Sequence, residues 1–150
     1  MSFNVFSIGP GNLSKEEFLK RLRERGIAVL VDLRAHPYST YAPQFDRENL
    51  ERDLSRLNVK YLYFGNKLGG RPPEGFETFR RTKKFEENVG ELVSKLKEID
   101  KTAAIMCAEL DQEKCHRRYI VGEIRNRGID VTVIDKYNKS ANKNTLVAYS

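Results

Sequence analysis

The stretch Arg23-Glu24-Arg25-Gly26-Ile27-Ala28-Val29-Leu30-Val31-Asp32 holds a helix end, a left-handed turn and a buried strand in immediate succession. The arginines suit the negative end of a helix dipole. Gly26 accepts the left-handed conformation that closes a helix, and the β-branched run after it opens a strand. The same punctuation returns in Ser55-Arg56-Leu57-Asn58-Val59-Lys60-Tyr61 and in Arg125-Asn126-Arg127-Gly128-Ile129-Asp130-Val131. Three helix-to-strand junctions of one kind, spread along the chain, imply alternating helices and strands.

The helix starts agree with the ends. Ser14-Lys15-Glu16-Glu17 reads as a capping box, followed by Phe18, Leu19 and Leu22 at helical spacing. Asp46 is placed to cap a second helix with Leu50, Leu54 and Leu57 on one stripe. Leu92, Leu96 and Ile99 mark a helix that starts near Lys83, and Asp111 is placed to cap the last one. The expected strands are Asn4 to Ile8, Ile27 to Leu33, Val59 to Phe64, Thr102 to Met106 and Val131 to Ile134. Continuous apolar runs separated by helices are the mark of buried parallel strands. The expected fold is therefore a single-domain, three-layer α/β sandwich over residues 1–135, with a mostly parallel five-stranded sheet. Residues 136–150 read as a polar tail, either an edge strand at Leu146 to Tyr149 or partly disordered. Tyr63 to Phe79, rich in Gly and Pro, reads as one long loop of the length that carries function.

The chain is 150 residues long, 39% hydrophobic and 32% charged, which suits one domain with its own core and excludes a disordered polar tail as the main content. No apolar run reaches membrane-span length, and the N-terminal residues lack the basic and apolar regions of a signal peptide, so the expected compartment is the cytoplasm. Lys and Arg number 27 against 21 Asp and Glu, a net charge of +6 that suits an anionic small molecule or nucleic acid as partner. The two cysteines are too few for a secreted disulfide scaffold. In a reducing compartment they are expected to be free, metal-bound or reactive rather than joined.

Open parallel sheets bind ligands beyond the carboxyl ends of their strands. Gly9-Pro10-Gly11-Asn12 follows the first strand, Arg34-Ala35-His36-Pro37 the second, and a loop with Lys67 and Arg71 the third. Cys107-Ala108-Glu109 follows the fourth strand, and Cys115-His116-Arg117 opens the next helix. Both cysteines, both histidines and several arginines thus fall on one rim. The pattern Cys107-Ala108-Glu109 then Cys115-His116-Arg117 resembles the signature of the domain-of-unknown-function 488 family. Ser7-Ile8-Gly9, Glu17-Phe18-Leu19, Val31-Asp32-Leu33-Arg34, Pro43-Gln44-Phe45 and Leu68-Gly69-Gly70-Arg71-Pro72 extend the resemblance across roughly residues 5 to 134. Ala35 departs from it, where a polar residue is expected. The resemblance implies a fold and the position of a site, and names no reaction.

Each rim residue has a chemical and a packing reading. Cys107, near a helix N-terminus and arginines, suits a thiolate nucleophile, or else a buried small hydrophobe. Glu109 suits a general acid or base, or an ion-pair partner for Arg34 or Arg117. His116, Ile120 and Ile124 recur every four residues, so His116 and its neighbour Arg117 are expected to face the sheet, where Arg117 must meet Asp32, Glu109 or a ligand. Cys107, Glu109, Cys115 and His116 are donors that zinc accepts. Their spacing matches no standard site, however, and adjacent Cys and His on a helix diverge, so no metal is assigned. Gly9-Pro10-Gly11 suits phosphate on backbone N–H groups but is not a Walker loop. Arg52, Arg56 and the Arg80-Arg81 and Lys83-Lys84 pairs, with Tyr38, Tyr41, Tyr61 and Tyr63, offer cations and rings to a single strand.

The leading expectation is a small cytosolic enzyme acting on an anionic, phosphate-bearing or nucleotide-like substrate. Cys107, Glu109 and His116 are its candidate catalytic residues. Arg34, Asp32, Arg117, Cys115, Gly9 and Arg71 are its candidate substrate-binding residues. The alternatives are a nucleic-acid-binding module without catalysis and a purely structural rim network. No cofactor is named.

Overall fold

The computed structural model describes residues 4–109 and 115–134. Strands β1 (Val5–Ile8), β2 (Val29–Asp32), β3 (Lys60–Tyr63), β4 (Ala103–Met106) and β5 (Val131–Val133) form one sheet in the order β3-β2-β4-β1-β5, every pairing parallel. The helices are α1 (Lys15–Glu24), α2 (Arg47–Arg56), α3 (Gly65–Leu68), α4 (Phe76–Phe79), α5 (Lys83–Ile99) and α6 (Arg117–Asn126). All five expected strands form, each within a residue or two of its expected ends.

The three junctions behave as their sequence implies. Gly26 (φ 64°), Asn58 (φ 60°) and Gly128 (φ 84°) each adopt the left-handed conformation between helix and strand. Ser14 Oγ accepts from Glu17 N at 3.1 Å and starts α1. Thr82 does the same for α5 through Phe85 N at 3.2 Å.

Both faces of the sheet are covered. Strand side chains alternate, so Val29, Val31, Ala103 and Ile105 meet α5 and α6 through Val89, Leu92, Leu96, Ile120 and Ile124. Leu30, Ala104 and Met106 meet α1 and α2 through Phe18, Leu22, Leu50 and Leu54 on the other side. These two cores make the three layers expected of a doubly covered parallel sheet.

Three local expectations change. Asp46 stands at the N-cap of α2 but makes no capping bond there, because its carboxylate accepts from Ser39 N at 2.8 Å instead. The segment Tyr63 to Phe79 is not one loop: its apolar residues Leu68, Phe76 and Phe79 pack onto the α5–α6 core and wind into the single turns α3 and α4. Helix α6 begins only at Arg117, with His116 at its N-cap. Asp111 and the tail after residue 134 lie outside the described residues.

The strand order decides where a site can form. From β2 the chain leaves for the β3 edge, and from β4 it leaves the opposite way, past β1, to β5. Neighbouring β2 and β4 therefore send their loops apart, and a crevice opens above their carboxyl ends. Leu92 is fully buried between α5 and the sheet. Leu92→Ala is expected to cost about 2–5 kcal/mol in urea unfolding, and a loss under about 1 kcal/mol would show that this face is not tightly packed.

Candidate functional site at the carboxyl ends of β2 and β4

A pocket of about 340 Å³ occupies that crevice. Its lining comes from the end of β2 (Arg34, Ala35, His36), the loop after α3 (Gly70, Arg71), the end of β4 (Cys107, Ala108, Glu109) and the entry to α6 (Cys115, His116). The register places Asp32 beside Met106, so the residues that follow each strand are neighbours by construction.

Asp32 is wholly buried and does not itself line the pocket; it holds Arg34, which does. Its carboxylate accepts from Arg34 Nε at 3.0 Å and from an Arg34 terminal nitrogen at 2.9 Å, a two-pronged pair, and from the Arg34 backbone N–H at 3.0 Å. Tyr61 Oη donates to the same carboxylate at 2.6 Å. Burial, then this bond and the charge behind it, pushes the Tyr61 hydroxyl well above its ordinary pKa, so Tyr61 is a fixed donor. The pair aims the Arg34 guanidinium while offsetting much of its charge.

Arg117 is also wholly buried and does not itself line the pocket; it holds Cys107 and the Glu109 backbone, which do. Its Nη1 donates to Ile8 O at 2.6 Å, to Glu109 O at 2.9 Å and to Cys107 Sγ at 3.3 Å. Its backbone N–H points at Cys115 Sγ, 3.4 Å away. The inward direction expected of Arg117 is present. Its partners are backbone carbonyls of Ile8 and Glu109 and the sulfurs, while Asp32 is engaged by Arg34.

Cys107 and Cys115 are joined as a disulfide, with Cα atoms 7.4 Å apart, which corrects the expectation of unjoined cysteines. The chain brings the end of β4 and the entry to α6 together over eight residues of sequence, and compartment chemistry has no bearing on that proximity. The expectation that Cys115 and His116 diverge is also corrected. Neither lies within the helix proper, so the helical rotation does not apply, and Cys115 Sγ sits 3.6 Å from His116 Nδ1. The donor atoms of Cys107, Cys115 and His116 all lie within 4.8 Å of one another.

The His116 ring packs 4.9 Å from the Phe76 ring. Gly70 lies so close that a Cβ there would come within 2.8 Å of Nδ1. Burial pushes the imidazole down to about 4, against a smaller opposite pull from the nearby Leu68 and Leu33 backbone. Its Nε2 is buried without a hydrogen bond of ordinary geometry. His116 is thus neutral near pH 7.

Gly9 has a packing role. A Cβ there would lie 1.8 Å from Glu109 O and 2.7 Å from Arg117 Nη1. A Cβ on Gly65 would lie 1.9 Å from Arg34 O, and one on Gly69 would lie 2.7 Å from Ala35. Arg71 is exposed at the mouth. His36, placed on the rim by the sequence but given no role there, lines the pocket two positions beyond Arg34, whereas sequence reasoning missed the part of Tyr61, whose reach to Asp32 no spacing reveals. Arg47 lies over the rings of Tyr61 and Tyr63, 5.6 and 4.6 Å from their centroids, and Arg80 and Arg81 pair with Glu77. Much of the expected ring-and-cation surface is therefore engaged within the protein, leaving Tyr38 and Tyr41 as its exposed rings.

A family model described as "Domain of unknown function DUF488" matches residues 14–124. The chain belongs to the DUF488 family. No curated protein matches it. Among solved structures it is similar to a de novo designed protein of P-loop NTPase fold, solved by solution NMR, at 24% identity and a TM-score of 0.42. That likeness covers 87% of this chain and 64% of the design, and at that score it carries no argument about site or chemistry. The DUF488 match takes in Asp32, Arg34, Arg71, both cysteines, His116 and Arg117, while Gly9 lies before it.

Asp32→Asn leaves Arg34 buried beside a neutral partner, and the expected loss is about 3–5 kcal/mol in denaturant unfolding. A loss under about 1 kcal/mol would mean that solvent already screens the pair. His116 gives a pH signature. Its folded pKa is depressed from 6.5 to about 4. As pH falls through that window the unfolded chain takes up a proton that the folded chain refuses. Stability is therefore expected to fall by on the order of 2–3 kcal/mol between pH 6.5 and 4, then to level off as far as this group is concerned. His116→Gln should remove that share of the slope, and an unchanged slope would refute the burial of the ring.

Proposed function

We propose that this DUF488 protein is a small cytosolic enzyme that binds an anionic, phosphate-bearing or nucleotide-like substrate in the rim pocket. One observation carries the reading: a single pocket is lined by Arg34, His36 and Arg71 and also by Cys107, Glu109 and His116. Its volume, about 340 Å³, suits a small molecule. Among the described residues no helix is long and apolar enough to cross a membrane.

Arg71 carries the larger share of charge recognition, since it is exposed at the mouth while Arg34 is held by Asp32. Arg34 presents its guanidinium in one fixed orientation, which favours a planar or bidentate anion. Arg117 and Gly9 act through the geometry they impose. Arg117 holds the sulfurs and the Glu109 carbonyl, and Gly9 permits that approach. Cys107 supplies sulfur chemistry once the cysteine pair is reduced, with the Arg117 cation beside it. Glu109, exposed at the rim, serves as acid or base, and the neutral His116 keeps a ring nitrogen lone pair available to ligate or to accept a hydrogen bond.

Calorimetric titration with inorganic phosphate and with ADP at low salt tests the reading. Arg71→Ala is expected to weaken binding roughly tenfold, the worth of one charge-assisted hydrogen bond, with the far-ultraviolet spectrum unchanged. Binding of neither probe would remove the anion site. Tight binding of a single-stranded oligonucleotide that falls steeply with salt and ignores Arg71 would favour the nucleic-acid module instead.

A further inference from the structure

We infer that Cys107, Cys115 and His116 of the reduced chain form a zinc site whose fourth position opens into the rim pocket. The position of that opening rests on the anion-pocket reading, whereas the three-donor site stands on its own geometry.

Three features support it. The first is the donor set. Two sulfurs and one imidazole nitrogen lie within 4.8 Å of one another, contributed by the end of β4 and the entry to α6. Two thiolates and an imidazole suit a borderline-soft cation and reject Mg²⁺ or Ca²⁺, and three protein ligands with one open place are the pattern of reactive zinc centres.

The second is backbone spacing. The cysteine Cα atoms stand 7.4 Å apart, beyond the roughly 4.4–6.8 Å that most disulfides span. A tetrahedral ion holding each sulfur at about 2.3 Å keeps the two sulfurs nearly 4 Å apart. A pair set this wide is better matched to an ion between its sulfurs than to a direct bond.

The third is what surrounds the sulfurs. Arg117 directs its backbone N–H at Cys115 Sγ and its Nη1 at Cys107 Sγ, at 3.4 and 3.3 Å. Donors of this kind around thiolate ligands orient them and disperse their charge. His116 presents Nδ1 to Cys115 Sγ at 3.6 Å, and Phe76 and Gly70 hold the ring in place. Zinc, two thiolates and the Arg117 cation together leave a net positive charge. An anion or hydroxide is the natural fourth ligand, and Arg34 and Arg71 line the same pocket.

The site exists only when the disulfide is open. A phosphine reductant gives two electrons to the Cys107–Cys115 bond and takes an oxygen atom from water to become its oxide. The two protons of that water leave the cysteines as thiols. Zinc then binds as both thiols release their protons to solvent.

The test uses the full chain, reduced with a phosphine, stripped of metal and titrated with Co²⁺ under nitrogen. The expected result is a thiolate-to-cobalt charge-transfer band with the visible bands of a four-coordinate site, saturating at one equivalent and bleached by Zn²⁺. The oxidised chain should show none of this. Cys115→Ser should abolish the charge-transfer band or halve it, and His116→Ala should weaken Co²⁺ binding by more than about tenfold, each with the circular dichroism of the folded parent. A folded, reduced parent chain without the band overturns the site, as does a Cys115→Ser chain that titrates like the parent. Inorganic phosphate added to the cobalt form should shift the visible bands. Bands that form but never shift overturn the open fourth position. Phosphate that binds the metal-free chain through Arg71 without moving the bands leaves the anion pocket standing and places it away from the metal.

Discussion

One buried guanidinium ties the rim together. Arg117, at the first turn of α6, has no solvent exposure and gives its Nη1 to the carbonyl that ends β1, to the Glu109 carbonyl beyond β4 and to the Cys107 sulfur. A cation out of water is costly unless its donors are satisfied. The chain offsets that cost at Nη1 by converging two strand ends and a helix entry on one side chain. The convergence places both sulfurs against one residue and leaves no space for a side chain at Gly9, where a Cβ would overlap the Glu109 carbonyl.

The opposite wall is built by a second buried charge. Asp32 receives the Arg34 backbone, the Arg34 guanidinium and the Tyr61 hydroxyl, and thereby fixes how the chain leaves β2. Gly65 and Gly69 allow α3 to lie directly against Arg34 O and Ala35, and Gly70 lets the next turn press on the His116 ring. The glycines that give the Tyr63 to Phe79 segment the look of a loop are there largely for these contacts. Phe76 completes the wall from α4. The His116 ring is therefore buried by two elements that are remote from it in sequence, which is the reason it stays neutral.

The fold was largely legible in the residue order. Gly26, Asn58 and Gly128 each take the left-handed turn that their junctions require, and the apolar runs after them become parallel strands. Ser14 could be read as a cap because its partner is local, three residues on. Asp46 could not be read as fully, because the bond to Ser39 N competes with the cap. The candidate site was legible in part. Strand ends collect on one rim in any open parallel sheet, so Arg34, Cys107, Glu109 and His116 were placed together by topology alone. The bond from Tyr61 to Asp32 and the packing purpose of Gly70 depend on contacts that cross between elements, and nothing local encodes them.

Residue order by itself determined the alternation of helices and strands, the parallel sheet and the rim that gathers cysteines, histidines and arginines. These follow from periodicity, capping and turn chemistry, which act over a few residues. Only the tertiary structure decided that β4 lies between β1 and β2, that Arg117 answers to carbonyls and sulfur while Asp32 answers to Arg34, and that Cys115 and His116 turn the same way toward Cys107. Those outcomes are set by how buried charges find partners across the sheet, and such pairings are chosen by the packing of distant segments.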